Sequence, residues 1–138
     1  MTSKDLAQSY FKKSIDRLDV LDLLYQKGAY SDVVREAQEC VELCLKGMLR
    51  FVGIEPSKYH DVGPLIVEHQ ERFKDISSEE ILRLTKISKE LSKERELAFY
   101  GDIDFIPTEE YTREDAIEAV EGANYVVNIA RRLLKNAK

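Results

Sequence analysis

The chain has 138 residues, of which 43% are hydrophobic and 34% are charged, with only three prolines and six glycines. This balance is typical of one globular domain and argues against intrinsic disorder. No apolar run approaches the roughly 18 residues that a membrane span requires. The first residues also lack the apolar run of a secretory signal. We therefore expect one domain over residues 1–138, in the cytoplasm and without a membrane partner.

The net charge of −5 means that the overall field repels nucleic acid. Any contact with RNA would therefore depend on a local basic patch. Solvated helix surface is the simplest interpretation of the basic residues. They form two sets along the chain: Arg83, Lys86, Lys89 and Lys93, and then Arg131, Arg132, Lys135 and Lys138.

The two cysteines, Cys40 and Cys44, lie four residues apart in an apolar setting. Two sulfur ligands do not make a zinc site, and no second pair exists, so we interpret both as small buried hydrophobic residues. The sequence has neither a Gly-x-x-x-x-Gly-Lys loop nor a Gly-x-Ser-x-Gly elbow. We expect neither a metal nor an organic cofactor.

Apolar residues recur at the spacing of amphipathic helices throughout the chain. The first predicted helix runs from Ser3 to Gln26, and Gly28 supplies its stop. The second runs from about Tyr30 to Val52, and its apolar arc is so wide that we expect a central helix contacted on more than one side. On the side opposite this arc, Glu42 and Lys46 are spaced to form an ion pair.

The second half of the chain continues the helical pattern. A short helix is predicted over 62–72, with Asp61 as its cap, and a longer helix begins with a capping box at Ser77–Glu80. Residues 101–107 are predicted to form a loop, and a last helix opens at Thr112 with a second capping signature. The chain is therefore predicted to be all-α, an up-and-down bundle of four to five helices.

Arg95 has an unexpected position on the fourth predicted helix. At about 100° per residue it falls within the apolar arc, whereas Lys93 and Glu96 point away from it. A guanidinium on a core-facing stripe costs free energy unless it is paired. We therefore expect Arg95 to meet a carboxylate, a second subunit or a ligand phosphate.

The loop after this helix mixes acids with apolar side chains, which are Tyr100, Ile103, Phe105 and Ile106. Such a loop either covers the end of the bundle or forms a binding surface. Its Asp102 and Asp104 are too few to predict a magnesium site. Of the two histidines, His60 is predicted to pack or cap at the start of the third helix, and His69 to lie exposed.

Several short motifs, in order and spacing, resemble those of the HEPN family. They are Gly28-Ala29-Tyr30, Ala37-Gln38, the Glu42-x-x-x-Lys46 step, the His60-x-x-x-x-Leu65 opening of a helix, and Arg95 followed by Tyr100-Gly101. The resemblance implies a helical bundle that usually dimerises. It also implies one of three roles: a metal-independent ribonuclease, a partner of a separate nucleotidyltransferase protein, or a noncatalytic binding domain.

Catalytic relatives carry a histidine four to six residues after the arginine, whereas this chain has Tyr100, Gly101 and Asp102 in that region. Tyrosine, with a pKa near 10 when unperturbed, is a poor base at neutral pH. We therefore predict a noncatalytic HEPN-like module that homodimerises and binds a nucleotide, RNA or a partner protein. Its binding residues would be Arg95, Tyr100, Asp102 and Asp104.

Two alternatives stay open. One is a divergent ribonuclease in which Arg95 acts with Tyr100 or Asp102. The other is the helical subunit of a two-component nucleotidyltransferase system, as in toxin–antitoxin pairs, with the catalytic half on another polypeptide.

Overall fold

The computed structural model describes residues 2–135, except for the side chain of Lys135, and within this range every regular element is helical. The prediction of an all-α bundle is confirmed. Four helices are long and two are short, and a single 3-10 turn lies at Gln70–Arg72. The helices are α1 (Ser3–Gln26), α2 (Tyr30–Phe51), α3 (Gly63–Glu68), α4 (Ser78–Phe99), α5 (Pro107–Glu110) and α6 (Arg113–Lys135).

Reciprocal caps begin α4 and α6, where the sequence predicts them. At the start of α4, the Glu80 amide donates to Ser77 Oγ at 3.1 Å, and the Ser77 amide donates to Glu80 Oε1 at 2.9 Å. Thr112 and Asp115 make the equivalent pair before α6, at 2.9 and 3.2 Å. Each box satisfies two backbone donors that a helix start otherwise leaves unpaired.

The central position of α2 is the main feature of the bundle. This helix packs against α1, α4 and α6, and each of those three contacts α2 more extensively than it contacts the others. Its buried apolar residues therefore form one broad arc, wider than the stripe of a helix that is contacted on one side only, as the sequence predicted. They are Val33, Val34, Ala37, Cys40, Val41, Cys44, Leu45, Met48 and Leu49.

Both cysteines are free thiols inside this core. Burial raises the pKa of Cys40 to about 12, against smaller opposing effects of nearby charges, and burial also raises the pKa of Cys44. Only the thiolate is a good nucleophile or metal ligand, so these groups are chemically inert in the folded protein. The interpretation of both as small hydrophobic residues is confirmed.

Two short segments differ from the sequence prediction. The helix expected over 62–72 is divided, with α3 ending at Glu68 and a 3-10 turn following His69. The four-residue helix α5 was not predicted, although Pro107 at its start has a backbone angle suited to a first helical turn. A helix of four residues is too short to be recognised from apolar periodicity in the sequence.

The basic tail of α6 is tied to the start of α4. Arg132 donates to both carboxylate oxygens of Glu80 at 2.8 and 2.9 Å, and these bonds lower the pKa of Glu80 to about 2. Lys138 lies outside the described residues. Among the described helices, none is long and apolar enough to cross a membrane.

Truncation of Leu45 tests the central role of α2. The side chain is fully buried, so Leu45→Ala should lower the free energy of unfolding by about 2–5 kcal/mol. The control Leu82→Ala removes a leucine that is 66% exposed and should change stability by less than about 0.5 kcal/mol. Urea denaturation followed by circular dichroism measures both values, and equal losses would contradict this packing.

Candidate functional site

Arg95 points from α4 toward α2, with only 14% of its side chain exposed. Its Nη1 donates to Gln38 Oε1 and, at 2.5 Å, to Glu39 Oε1. A second carboxylate oxygen, Glu42 Oε1, lies 3.9 Å from the same nitrogen. Of the three partners that the sequence allowed for Arg95, the structure shows a carboxylate of the same chain.

Glu42 is the acceptor at the centre of this group. Its Oε1 accepts from Gln38 Nε2 and faces His60 Nδ1, each at 2.9 Å, and its Oε2 accepts from Lys46 Nζ at 2.9 Å. Residues spaced by four lie on one face of a helix, so Gln38, Glu42 and Lys46 form a line along α2. We call the connected group the polar seam: Gln38, Glu39, Glu42, Lys46, His60 and Arg95.

The charge state of Glu42 depends on these donors. Burial acts to raise its pKa, but the hydrogen bonds from Gln38, Lys46 and His60 outweigh that effect, so the pKa of Glu42 is lowered from its ordinary value. Glu42 is therefore a carboxylate at neutral pH. A carboxylate can only accept hydrogen bonds, so Nδ1 of His60 carries the proton in their contact.

The loop that carries His60 is held against α4. Asp61 Oδ1 accepts from Ser88 Oγ at 2.7 Å and from the Gly63 amide at 2.9 Å. The N-cap residue of α3 is therefore Val62 and not the predicted Asp61, whose side chain instead anchors the loop and accepts from the first amide of the helix. His60 itself is half exposed, with Nδ1 turned to Glu42. This leaves the Nε2 edge of the imidazole free of any protein hydrogen bond among the described residues.

The charges of the seam balance when His60 is neutral, and the adjoining Arg35 adds one positive charge. Arg35 joins it through Glu39 Oε1, at 3.5 Å from its Nε, and donates to the Arg95 carbonyl at 3.1 Å. Arg35, Lys46 and Arg95 face two carboxylates, which leaves one positive charge in excess when His60 is neutral. Arg95 Nε is one of four buried side-chain atoms without a hydrogen-bond partner within residues 2–135, and the others are Arg17 Nε, Arg50 Nε and Ser92 Oγ.

The other predicted site residues lie away from the seam. Tyr100 ends α4, is 71% exposed and meets the Phe99 ring edge-on. Backbone hydrogen bonds between Asp102 and Phe105, at 2.9 and 3.0 Å, close a turn, within which the Asp102 carboxylate accepts from the Ile103 amide at 2.8 Å. Asp104 is an exposed residue of the same turn.

Helical geometry explains this separation. Five residues beyond Arg95, the chain has rotated by about 140° from its direction. Arg95 therefore faces α2 while Tyr100 and the turn after it face solvent. Within the described residues, no hydrogen bond or ion pair joins Arg95 to Tyr100, Asp102 or Asp104.

The loop after α4 exposes apolar side chains. Phe105 alone of its large apolar residues turns inward, where its ring lies 5.7 Å from that of Tyr111. The others are 50–92% exposed and form a surface that we call the apolar tip: Phe99, Tyr100, Ile103 and Ile106. The structure thus favours a contact surface over a cover for the bundle end.

Two corrections concern residues that the sequence placed differently. Glu42 and Lys46 do form the predicted ion pair, but they lie half-buried beside α4 rather than on the outer side of α2. The reason is that α2 is covered on several sides, so its polar line is enclosed too. Gln38 and Glu39 were not predicted as site residues. The sequence feature that could have indicated this site is the spacing of Gln38 and Glu42, which lie four residues apart among apolar neighbours.

These features define the class: an all-α bundle with a half-buried seam of arginine, carboxylate and histidine between its second and fourth helices. The family model of the HEPN domain matches residues 7–133, and the chain belongs to this family. It is similar to the protein named Putative toxin MJ1304 of Methanocaldococcus jannaschii. The two are 29% identical over 136 residues, which cover 94% of this chain and 88% of that protein. No solved structure gives a significant match.

Removing the Glu42 carboxylate tests the seam. Glu42→Gln should lower the free energy of unfolding by about 1–3 kcal/mol at pH 7, because part-buried donors lose a charged acceptor. The lowered pKa means that this contribution is present above the ordinary value of 4.5 and is lost as the pH falls below it. The difference between the wild type and the variant should therefore shrink toward pH 3.

Urea denaturation at pH 7, 5, 4 and 3 measures that difference. Glu68→Gln is the matched control, since the Glu68 side chain is 68% exposed and 3.8 Å from His69. A Glu42→Gln effect that stays constant with pH would show that the carboxylate charge is not responsible.

Proposed function

We propose that this HEPN domain is a noncatalytic module that binds phosphate groups of RNA or a nucleotide at the polar seam. The observation that carries the proposal is the excess positive charge of the seam with the adjoining Arg35, together with the unpartnered Nε of Arg95. Both occur in a chain whose net charge is −5. Such a local cationic site is what an anionic ligand requires against a repelling overall field.

Phosphate oxygens suit the donors of the seam. Arginine presents a planar fork that matches phosphate geometry, and lysine adds a point charge. A phosphate oxygen would supply the acceptor that Arg95 Nε lacks. The half-exposed His60 stands at the rim of the seam, where a ligand arriving from solvent would meet it first.

A noncatalytic role is supported by the position of the residues after Arg95. Tyr100 and Asp102, which occupy the region where catalytic relatives carry a histidine, are turned to solvent or into a turn and so are poorly placed to move a proton beside the guanidinium. The relative named as a toxin fits a role in which binding of nucleic acid or of a nucleotide alters another process.

The apolar tip supports the proposal of a homodimer. Its four side chains would be covered by the same four from a second copy, as in a two-fold interface. The sequence-based proposals of a separate nucleotidyltransferase partner and a cytoplasmic location also remain proposals. The turn residues Asp102 and Asp104 border the tip, so they would contribute to partner contact rather than to the seam.

RNA binding is tested with a fluorescein-labelled single-stranded RNA and the purified chain in a polarisation titration. Arg95→Gln should weaken binding at least tenfold, since one charge-assisted contact is worth roughly 1.5–3 kcal/mol. Arg95→Lys keeps the charge and should recover part of the loss. Competition by ATP or GTP would show whether a free nucleotide uses the same site.

The matched control is Arg132→Gln, which removes an equal charge at the Glu80 pair, outside the seam. Circular dichroism melts of all variants separate lost binding from unfolding. If Arg95→Gln and Arg132→Gln weaken RNA binding equally, binding depends on the overall charge of the protein and not on the seam.

The contact of His60 with Glu42 favours one second candidate, a divergent ribonuclease. His60 would take the proton of a ribose 2′-hydroxyl as that oxygen bonds to the adjacent phosphorus. The phosphorus–5′-oxygen bond would then break, and the leaving oxygen would receive a proton from the imidazolium. This route replaces the sequence-based pairing of Arg95 with Tyr100 or Asp102.

Incubation of labelled RNA with the protein and EDTA tests for cleavage. We expect no cleavage above background, in keeping with the noncatalytic proposal. Arg95-dependent cleavage would overturn that proposal and support the second candidate. In that case His60→Ala, compared with His69→Ala, would show whether the seam histidine acts, and Tyr100→Phe and Asp102→Asn would test the residues after Arg95.

A further inference from the structure

A long groove runs between α4 and α6 on a different face of α4 from the polar seam. Its volume is about 840 Å³. Its apolar floor comes from both helices and includes Ile87, Leu91, Ala119 and Gly122. A Cβ at Gly122 would lie 3.1 Å from Ile87 Cγ2, so the glycine lets the two helices approach closely at the floor.

Aromatic side chains close one end of the groove. Phe105 and Tyr111 stand there with ring centroids 5.7 Å apart, and the Tyr111 hydroxyl donates to Glu94 Oε2 at 2.5 Å. Burial, with this hydrogen bond, raises the pKa of Tyr111, so the phenol stays a neutral donor. The end wall of the groove therefore consists of two packed aromatic rings that a hydrogen bond ties to α4.

The walls of the groove are strongly acidic. Two cations, Arg83 and Lys86, stand near the end that lies toward the start of α4. They are outnumbered by six carboxylates along the rest of the lining: Glu90, Glu94, Glu110, Asp115, Glu118 and Glu121. Much of the net charge of the chain is thus concentrated around one apolar floor.

The chemistry of the lining excludes two other occupants. A nucleic acid would bring its phosphates against the carboxylates, which repel them. A divalent metal needs several ligands converging on one point, and no group of three or more His, Cys, Asp or Glu side chains in residues 2–135 is so arranged. The carboxylates instead follow the groove along its length.

We infer that this groove is a docking site for an amphipathic, lysine- or arginine-rich helix of a partner protein. Apolar side chains of that helix would cover the floor, and its basic flanks would face the six carboxylates, which is the helix-in-groove mode of recognition. The lining residues of α4 extend from Arg83 to Leu97, about 21 Å along the helix axis. That length holds about four helical turns of a ligand.

Charge complementarity also determines which partner charge the groove accepts and how fast the partner associates. Opposite charges around a groove speed association and suppress partners of the wrong charge more than they add raw affinity. An acidic helix with the same apolar stripe should therefore bind far less well. The groove and the polar seam share no residue, so the domain could hold a basic partner and a phosphate ligand at once.

The probe is a fluorescein-labelled 16-residue peptide with leucines on one helical face and lysines elsewhere. Two matched peptides serve as controls: one with glutamate for every lysine, and one with the same composition but the leucines scattered around the helix. Anisotropy titrations at about physiological salt compare the full chain with Glu118→Lys/Glu121→Lys. Both residues are exposed, so their reversal leaves the core intact.

The double reversal should weaken binding of the lysine–leucine peptide at least tenfold. Asp16→Lys/Asp19→Lys makes the same charge change on the outer face of α1 and should alter binding less than twofold. Equal losses in the two double variants, or equal binding of the scattered peptide, would reduce the contact to general electrostatics and overturn the inference. The RNA titration is a separate readout, so failure here is distinguishable from failure at the seam.

Discussion

The inward turn of Arg95 is the constraint on which the site depends. A guanidinium removed from water is costly unless acceptors replace its hydration. Gln38 and Glu39 supply those acceptors, and Glu42 extends the contact to a lysine and a histidine. The bundle therefore cannot place α4 against α2 without aligning this whole set. Loss of one acceptor would leave the Arg95 guanidinium without a partner beside the core. The same contacts therefore affect both the stability of the bundle and the proposed phosphate binding.

The central helix explains how one small domain presents three different surfaces. Because α2 is covered by α1, α4 and α6, its polar line forms an enclosed seam rather than an exposed stripe. The end of α4 and the turn after it carry the apolar tip, and Arg35 of α2 lies 4.7 Å from the centre of the Phe99 ring, at the edge of the tip. Since α4 and α6 both pack on α2 more than on each other, a groove remains between them. The proposed docking groove would then use a different face from the phosphate site, whereas the proposed self-association surface adjoins that site at Arg35.

Membership in the HEPN family is in keeping with the all-α fold, but the residues of this chain carry the finer argument. The region where catalytic relatives have a histidine after the arginine holds an exposed tyrosine and a turn aspartate. The histidine that does reach the seam, His60, comes from the loop before α3 and is held there by the anchoring of Asp61 to Ser88. The packing of the bundle therefore brings His60 near Arg95, whereas the spacing of residues along one helix does not.

Local features of the sequence were sufficient to predict the helices and the inward position of Arg95. Apolar periodicity, the capping boxes at Ser77 and Thr112 and the position of Arg95 in an apolar arc are all written within one or two helical turns, so the sequence alone predicted them. It did not predict that Glu42 and Lys46 would be enclosed, that His60 would meet Glu42, or that Tyr100, Asp102 and Asp104 would turn away from Arg95. Those outcomes depend on which helix covers which face and on the rotation where α4 ends. Contacts between residues 18 to 57 positions apart are decided only when the helices pack.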